Sequence, residues 1–533
     1  METVPNPVAA VPLASALYDA YLHDFSRVRK FFSRSPCPLD WLSEEARSIH
    51  YDPERRGRVA DILTRQNQAF GSSESVFANL TRFRAGACMV VTGQQVGLLG
   101  GPLFSILKAI TAVRLAAEAS RSGVDCVPVF WLATEDHDLA EIDHVVLPDR
   151  EGVLHKVTAS TPTHKNSPVG EIHFGAEVEG AVEQAADWLG DPELAGLLRT
   201  AYHPGAGYGE AFAKLFAGIF REFGVILLDA NDPELHRIAA PIFAASIRQS
   251  SELDSALLAR GDALRSGGFH EQVKVTPSST PLFASQDGAR IPIHRANGGF
   301  LIGAVALDQA ELLRRIEASP QQFTPNVLLR PVVQDYLLPT LAYVGGPAEI
   351  AYFAQAAVVY EALLGRITPS LPRLAVTLVE PHIKRLLDRY GLTAGDAFID
   401  EEQLRDLMAQ RTLPSDLTAT FEAARLQLHD SLQSISSALG RLDPTLVPAA
   451  AKAGAKMRHQ IDRLHTRTVH AELRRNVILA RHAAQLSSAL YPGGNLQERT
   501  IGGIYFVARH QDLLRRLYDA ASPDCLDHQV LFL

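Results

Sequence analysis

The sequence predicts an α/β fold: a parallel β-sheet covered by helices on both faces, interrupted by inserted segments and followed by a long antiparallel helical arm. Three observations carry this. Residues 88–133 read strand, helix, strand, and both strands are continuously apolar, as in a sheet buried on both faces. The run Val225-Ile226-Leu227-Leu228 and a β/α stretch over 326–376 extend the pattern. From about 379 to 490 the chain turns to Ala, Leu, Arg, Gln and Glu, with apolar residues at heptad spacing.

Taken in order, Val59, Ile62, Leu63, Gln66, Phe70 and Phe77 predict a helix over 59–83. Residues 88–92 (CMVVT) are the first strand. Residues 103–121 are an amphipathic helix that opens at Pro102 and ends at Gly123. Residues 126–133 are the second strand. The buried run at 225–228 leads to Asp229 and a helix near 232–249. Segments 272–283 and 291–306 read as inserted hairpins, with Asn297-Gly298-Gly299 as a turn. The core is expected over 1–378, with insertions at about 151–220 and 260–325. The arm is expected over 379–490. Its first helix, 415–442, carries a seam of Leu417, Phe421, Ala424, Leu428, Leu432, Ile435, Leu439 and Leu442. Asp443-Pro444 breaks it, and a second helix over about 447–489 would be roughly 60 Å long. The seam packs either within one chain or between two. The basic run Arg458, Arg463, Arg467, Arg474 and Arg475 reads as a solvated face. Residues 491–533 return to the core, with a final strand at Val530–Leu533.

At 533 residues the chain exceeds what one hydrophobic core usually serves. Its 47% hydrophobic and 21% charged residues are ordinary for a globular protein. A net charge of −9 argues against nonspecific nucleic-acid binding, which rests on Lys and Arg neutralising phosphates. Cys37, Cys88, Cys126 and Cys525 form no CxxC pair, so neither a disulfide framework nor a cysteine zinc site is expected. No secretory leader or membrane span is read. The expectation is a cytoplasmic protein with no structural metal, no nucleic-acid partner and no membrane partner.

Ligands of open parallel sheets bind beyond the carboxyl ends of the strands, and two motifs fall there. VVTGQQVGLLGGPLFSILK (90–108) runs from strand to helix through Gly93, Gln94, Gln95, Gly97, Gly100 and Gly101. Glycines admit an anion to the backbone and a helix N-terminus offers free N–H groups. The spacing matches neither GxGxxG nor a Walker loop, so a ligand loop and a tightly packed turn both remain open. Lys108 lies one to two turns into the helix. The second motif, Thr134-Glu135-Asp136-His137-Asp138, puts four ionisable groups at the end of a buried strand. A metal site, a general acid/base with His137 oriented by a carboxylate, an ammonium clamp and a capped helix start all fit. Arg330 sits in an apolar segment. Tyr343-Val344-Gly345-Gly346-Pro347-Ala348-Glu349 repeats the Gly-Gly-Pro helix mouth of 100–102, and the two mouths are candidates to face one cleft.

TGQQVGLLGGPLFSILKAITA, PVFWLATEDHDLAEIDHV, LLRPVVQDYLLPTLAYVGGPAEIAYFAQ and the terminal NLQER and HQVLFL together resemble the BshC family, the cysteine-adding ligases of bacillithiol biosynthesis. The resemblance runs over nearly the whole chain. The second arm helix departs from it, with few of the family's Lys-rich repeats. The resemblance implies a Rossmann-like core with inserted segments and a coiled-coil arm that makes a homodimer. It also implies the joining of the L-cysteine carboxyl to the amine of glucosaminyl malate, with ATP and magnesium as the candidate activating pair. On that chemistry the catalytic candidates are His137 as base, Asp136 and Asp138 as its holders, and Gln94 as an oxyanion donor. Gln95, Glu135, Lys108, Arg330 and Glu349 are the substrate-binding candidates, Glu135 for the ammonium of cysteine and Arg330 for the malate carboxylates. Gly93, Gly97, Gly100, Gly101 and Arg499 are the nucleotide-binding candidates. The alternatives are a metal-dependent hydrolase built on Glu135–Asp138 and a non-catalytic metabolite-binding scaffold whose arm binds partners.

Overall fold

The structure, a computed structural model, describes residues 3–6, 15–159, 167–286 and 288–533, with side chains for all but 3–6 and 473–475. Part of the first expected insertion (160–166) and the Arg474 and Arg475 side chains therefore lie outside the described residues. The chain divides into two units: Met1–Thr377 with Glu498–Leu531, and Leu378–Gln497 with Phe532–Leu533.

In the first unit five parallel strands form the central sheet: β1 (Cys88–Gln94), β2 (Cys126–Leu132), β3 (Ile226–Asp229), β4 (Thr340–Gly345) and β5 (Ser370–Pro372). They lie in the order β5-β4-β1-β2-β3. That is the doubly wound order 3-2-1-4-5, read from the β3 edge. β2 is buried at every position, as its apolar run requires. Helix α1 (Leu103–Arg121) covers one face, with Ala112, Leu115, Ala116 and Ala119 packed with Val90, Cys126 and Val344. On the other face Val91, Val129 and Trp131 meet Ile238 and Ile242 of α2 (Pro233–Arg248) and Phe353 of α3 (Pro347–Leu364). Each such side chain contributes about 1.5–3 kcal/mol of burial energy. Cys88 and Cys126 are register partners on β1 and β2, and all four cysteines are free thiols.

A second, antiparallel sheet is inserted between α2 and β4. It comprises Ser279–Gln286, Ala289–Ala296, Gly299–Ile302, Val305–Leu307 and Phe323–Pro325. Asn297 (φ 51°) and Gly298 (φ 79°) make its turn in the left-handed region. The final strand, His528–Phe532, pairs antiparallel with Thr3–Asn6, and the Gln529 N–H donates to the Ala375 carbonyl at 2.9 Å.

Two helices depart from the periodicity. The expected 59–83 helix is two, Pro53–Ala69 and Glu74–Ala85, parted at Gly71 (φ 70°), a backbone state that glycine adopts without steric cost. The expected 447–489 helix is also two, α5 (Val447–Arg475) and α6 (Val477–Leu490). Asn476 takes a non-helical conformation and its side chain caps the Leu479 N–H at 3.0 Å, the local competition that disfavours Asn inside helices.

In the second unit α4 (Ser415–Leu442) and α5 form an antiparallel hairpin within one chain. Arg425 pairs with Asp462 at 3.0 Å, Phe421 meets His465 edge-on at 5.0 Å, and Leu432 packs so close to Gly454 that an added Cβ would lie 2.8 Å away. Phe421 and Leu432 of the heptad seam thus pack inside the chain, while Ile435 and Leu442 of the same seam are exposed. Among the described residues no helix is long and apolar enough to cross a membrane.

Candidate active site

The chain leaves β1 for β2 and β3 on one side and returns to β4 and β5 on the other. The carboxyl ends of β1 and β4 therefore flank the switch point of the sheet, where such folds form a crevice. A cleft of about 870 Å³ opens there, and both Gly-Gly-Pro mouths contribute to its wall through Pro102, Gly346 and Pro347.

A buried ion pair ties the two mouths together. Lys108, 3% exposed, reaches back from the second turn of α1 to the Glu349 carboxylate in the first turn of α3. It also donates to the Gly93 carbonyl and to Gln94 Oε1, both at 2.8 Å, which uses all three ammonium protons. Glu349 Oε2 further accepts the Gly346 N–H at 2.8 Å and Oε1 accepts the Tyr343 hydroxyl at 2.5 Å. Burial opposes the charge on Glu349, but the Lys108 ammonium outweighs it and holds the carboxyl below its usual range. Both residues are spent on each other and on the backbone, so they shape the wall. One consequence reaches the ligand space: Gln94 presents Oε1 to Lys108, so its NH₂ is turned away from that cation as a hydrogen-bond donor.

The glycine loop resolves to the packed turn. The N–H of Gly97 goes to Gln95, that of Gly100 to Gly97, that of Gly101 to Leu98 and that of Leu103 to Ile501, all at 2.9–3.1 Å. The Gly100 N–H also donates to the Tyr202 hydroxyl oxygen at 3.2 Å, and neither Gly100 nor Gly101 lines the cleft. The N–H groups of Gly97, Gly100 and Gly101 are thus paired within the turn, and of the three only Gly97 lines the cleft. The glycines are there for close approach: a Cβ on Gly93 would lie 2.7 Å from the Trp131 carbonyl oxygen, and Gly100 has φ 86° with Leu215 at 3.2 Å. The backbone donors at the cleft are instead on α3, where Ala348 and Glu349 line the wall and their N–H groups have no intrahelical acceptor.

The acidic stretch after β2 fans out rather than converging. Thr134 turns inward to Asp229. Glu135 and Asp136 line the cleft. Asp136 Oδ2 accepts from Gln95 Nε2 at 2.8 Å and Oδ1 accepts the His137 N–H at 2.8 Å. His137 lies beside the wall, half-buried, with Nδ1 3.3 Å from Arg290 Nη1 and 3.5 Å from Asp136 Oδ1. Asp138 is exposed at the start of the short helix Leu139–Ile142 and holds neither His137 nor a cap. Among the described residues no three His, Cys, Asp or Glu side chains are grouped as a metal site.

Two residues join the site from segments that carried no local signal. Arg290, on the inserted sheet and 9% exposed, stacks over Phe283 at 4.1 Å and donates to Thr324 Oγ1 at 2.8 Å and the Pro325 carbonyl at 2.5 Å. His236, on α2, places Nε2 3.0 Å from Glu135 Oε1. Arg330 lines the cleft and donates to the Tyr352 hydroxyl at 2.6 Å. No carboxylate of the described residues lies within ion-pair distance of it. Arg499 is exposed at the rim.

Arg373, also in the wall, is held by the buried carboxylate of Glu498 at 2.6 Å, which accepts the Val376 N–H at 2.9 Å as well. Burial opposes the Glu498 charge, and Arg373 more than offsets that, leaving the carboxyl below its usual range. Its stabilising contribution is therefore complete above the unfolded carboxyl value of about 4.3 and is lost as pH falls through the folded value. Glu498→Gln is expected to flatten the fall of stability below pH 4.3 by about 1–2 kcal/mol, read from urea midpoints at several pH values. An unaltered slope would refute the pairing.

These features define a Rossmann-like α/β protein with a cleft at its switch point and a coiled-coil arm. Residues 5–374 match the family described as "Bacillithiol biosynthesis BshC, N-terminal Rossmann-like domain", and residues 376–533 match "Bacillithiol biosynthesis BshC, C-terminal coiled-coil domain". The chain belongs to the BshC family, a ligase family of bacillithiol biosynthesis. A protein of Koribacter versatilis named "Putative cysteine ligase BshC" is 46% identical over 526 residues, covering 98% of each chain. Relatives with the same name in Solibacter usitatus and Salinibacter ruber are 34% and 33% identical, each over at least 98% of both chains.

Proposed function

We propose that this protein joins the carboxyl of L-cysteine to the amine of glucosaminyl malate in the cytoplasm, with ATP and magnesium activating the carboxyl. The observation that carries the reading is one cleft holding the three kinds of group an acyl transfer to a dicarboxylated amine needs. Gln94 offers an oriented amide donor for the oxyanion. Glu135 and Asp136 supply carboxylates for an ammonium and for proton transfer. Arg330 offers a planar fork without a carboxylate of its own, suited to those of malate. Arg499 at the rim suits a phosphate. Magnesium in this reading arrives on the nucleotide phosphates, which commonly supply several of its ligands. The arm leaves Leu426, Ile435, Met457 and Leu464 at least half exposed, and a second copy of the arm is the proposed cover, making a homodimer.

The test is direct. The purified protein is incubated with L-cysteine and glucosaminyl malate, with and without ATP and magnesium, and thiol products are followed by mass spectrometry. Product of the amide mass, dependent on ATP, is the expected result. No product in any mixture would overturn the reading.

A further inference from the structure

We infer that Glu135, held from behind by His236, is the residue that takes the proton from the attacking amine. The inference rests on the ligase reading and assigns a role within that site.

Glu135 is the one member of the acidic stretch that both lines the cleft and has an oxygen uncommitted to the backbone or to a neighbouring amide. Its Oε1 lies 3.0 Å from His236 Nε2, and no hydrogen bond of the described residues engages Oε2. His236 is 3% exposed in the first turn of α2. Its Nε2 also lies 3.2 Å from the Ala230 carbonyl. Two acceptors face that one nitrogen, so the nitrogen carries the proton and donates to Glu135. The other groups near the pair are the Arg290 guanidinium and the Asp229 carboxyl, both of which act on Glu135, and the Phe243 ring, edge-on to His236 at 6.1 Å. Burial works against a charged imidazole here, but the Glu135 carboxylate outweighs it and keeps His236 above its ordinary range. His236 is thus a positioning residue, whose Nε2–H holds the Glu135 carboxylate turned toward the cleft.

The competing base, His137, is placed otherwise. An Arg290 N–H faces its Nδ1, so that nitrogen is the acceptor and the ring proton sits on Nε2. The lone pair a base would use is already engaged, and the cleft wall passes from Asp136 to Glu141 without the ring.

The step balances as follows. A cysteine carboxylate oxygen first attacks a phosphorus of the nucleoside triphosphate, and the P–O bond to the rest of the triphosphate breaks, which releases pyrophosphate or the nucleoside diphosphate and leaves a mixed anhydride. The amine nitrogen gives a proton to Glu135 Oε2 and its lone pair forms the C–N bond to the acyl carbon. The carbonyl π pair moves to the oxygen facing the Gln94 NH₂. The pair then returns as the C–O bond to the phosphate breaks, and the phosphate leaves with those electrons.

The experiment compares Glu135→Gln, His236→Gln and His137→Ala by steady-state ligation from pH 6 to 9, alongside ¹⁵N-histidine spectra. Glu135→Gln is expected to lower kcat about 10²–10³-fold. His236→Gln is expected to lower kcat about tenfold while both KM values stay within about twofold of wild type. A merely structural role would raise KM as well. Glu135→Gln within threefold of wild type, or His137→Ala losing as much as Glu135→Gln, would overturn the inference. The spectra need no turnover. A protonated Nε2 on His236 at pH 7.5, with a ¹⁵N shift that changes in Glu135→Gln, supports the pair, and an unprotonated Nε2 overturns it. Wild-type protein that shows the protonated Nε2 but forms no product tells against the ligase reading alone.

Discussion

Lys108→Met is expected to destabilise the protein by about 3–5 kcal/mol, because it leaves the Glu349 carboxylate facing the Tyr343 hydroxyl and one backbone N–H with no cation in ion-pair contact. The loss should appear as a lower urea midpoint at neutral pH. It has a partner experiment. Glu349→Gln alone strands the ammonium and is costly too, whereas Lys108→Met with Glu349→Gln removes both charges and recovers much of the loss, since a buried pair replaced by neutral groups of similar volume is often tolerated. Activity should not recover in the double variant. Gln94 loses the donor that fixes which end of its amide faces the cleft. Additive losses in the cycle would show that the two groups do not interact.

Arg330→Met is expected to raise the KM for glucosaminyl malate about 100-fold, roughly 2.7 kcal/mol, with a much smaller effect on the KM for cysteine. Stability should change little. Removing a cation that has no carboxylate partner strands no opposite charge, and the Tyr352 and Tyr343 hydroxyls it leaves can bond to water in the cleft. Arg330→Lys should not rescue binding, because a point charge lacks the planar fork that meets two carboxylate oxygens. An unchanged KM for glucosaminyl malate, or a rise confined to cysteine, would overturn the proposed role of Arg330.

Local pattern carried some of this molecule and not the rest. Helices α1 and α4 follow their predicted limits because an apolar period and a breaker at each end (Pro102 and Gly123, Pro414 and Asp443-Pro444) are both written locally. The placement of the cleft was also legible, since a β/α alternation implies a carboxyl-end site. The state of the glycine loop was not. What decides it is whether the N–H groups are already taken, and one of the acceptors, Ile501, lies some four hundred residues away. For the same reason His236 and Arg290 gave no signal. One sits in an amphipathic helix and one in an inserted strand, and only the tertiary fold aims them at Glu135 and Asp136. Asn476 could have been read: a capping residue inside a helical run is a local break, which reading 447–489 as one helix passed over.

The inward-bonded glycines of this loop have a consequence for heredity. A cradle of main-chain amides survives almost any codon change, since every residue but proline supplies one. Here, at the mouth of α1, Gly97, Gly100 and Gly101 give their amides to the loop's own oxygens, while Gln94 and Gln95 line the cleft. Single nucleotide changes can therefore alter what this mouth holds without disturbing the turn that shapes it, so selection can retune its ligand one side chain at a time.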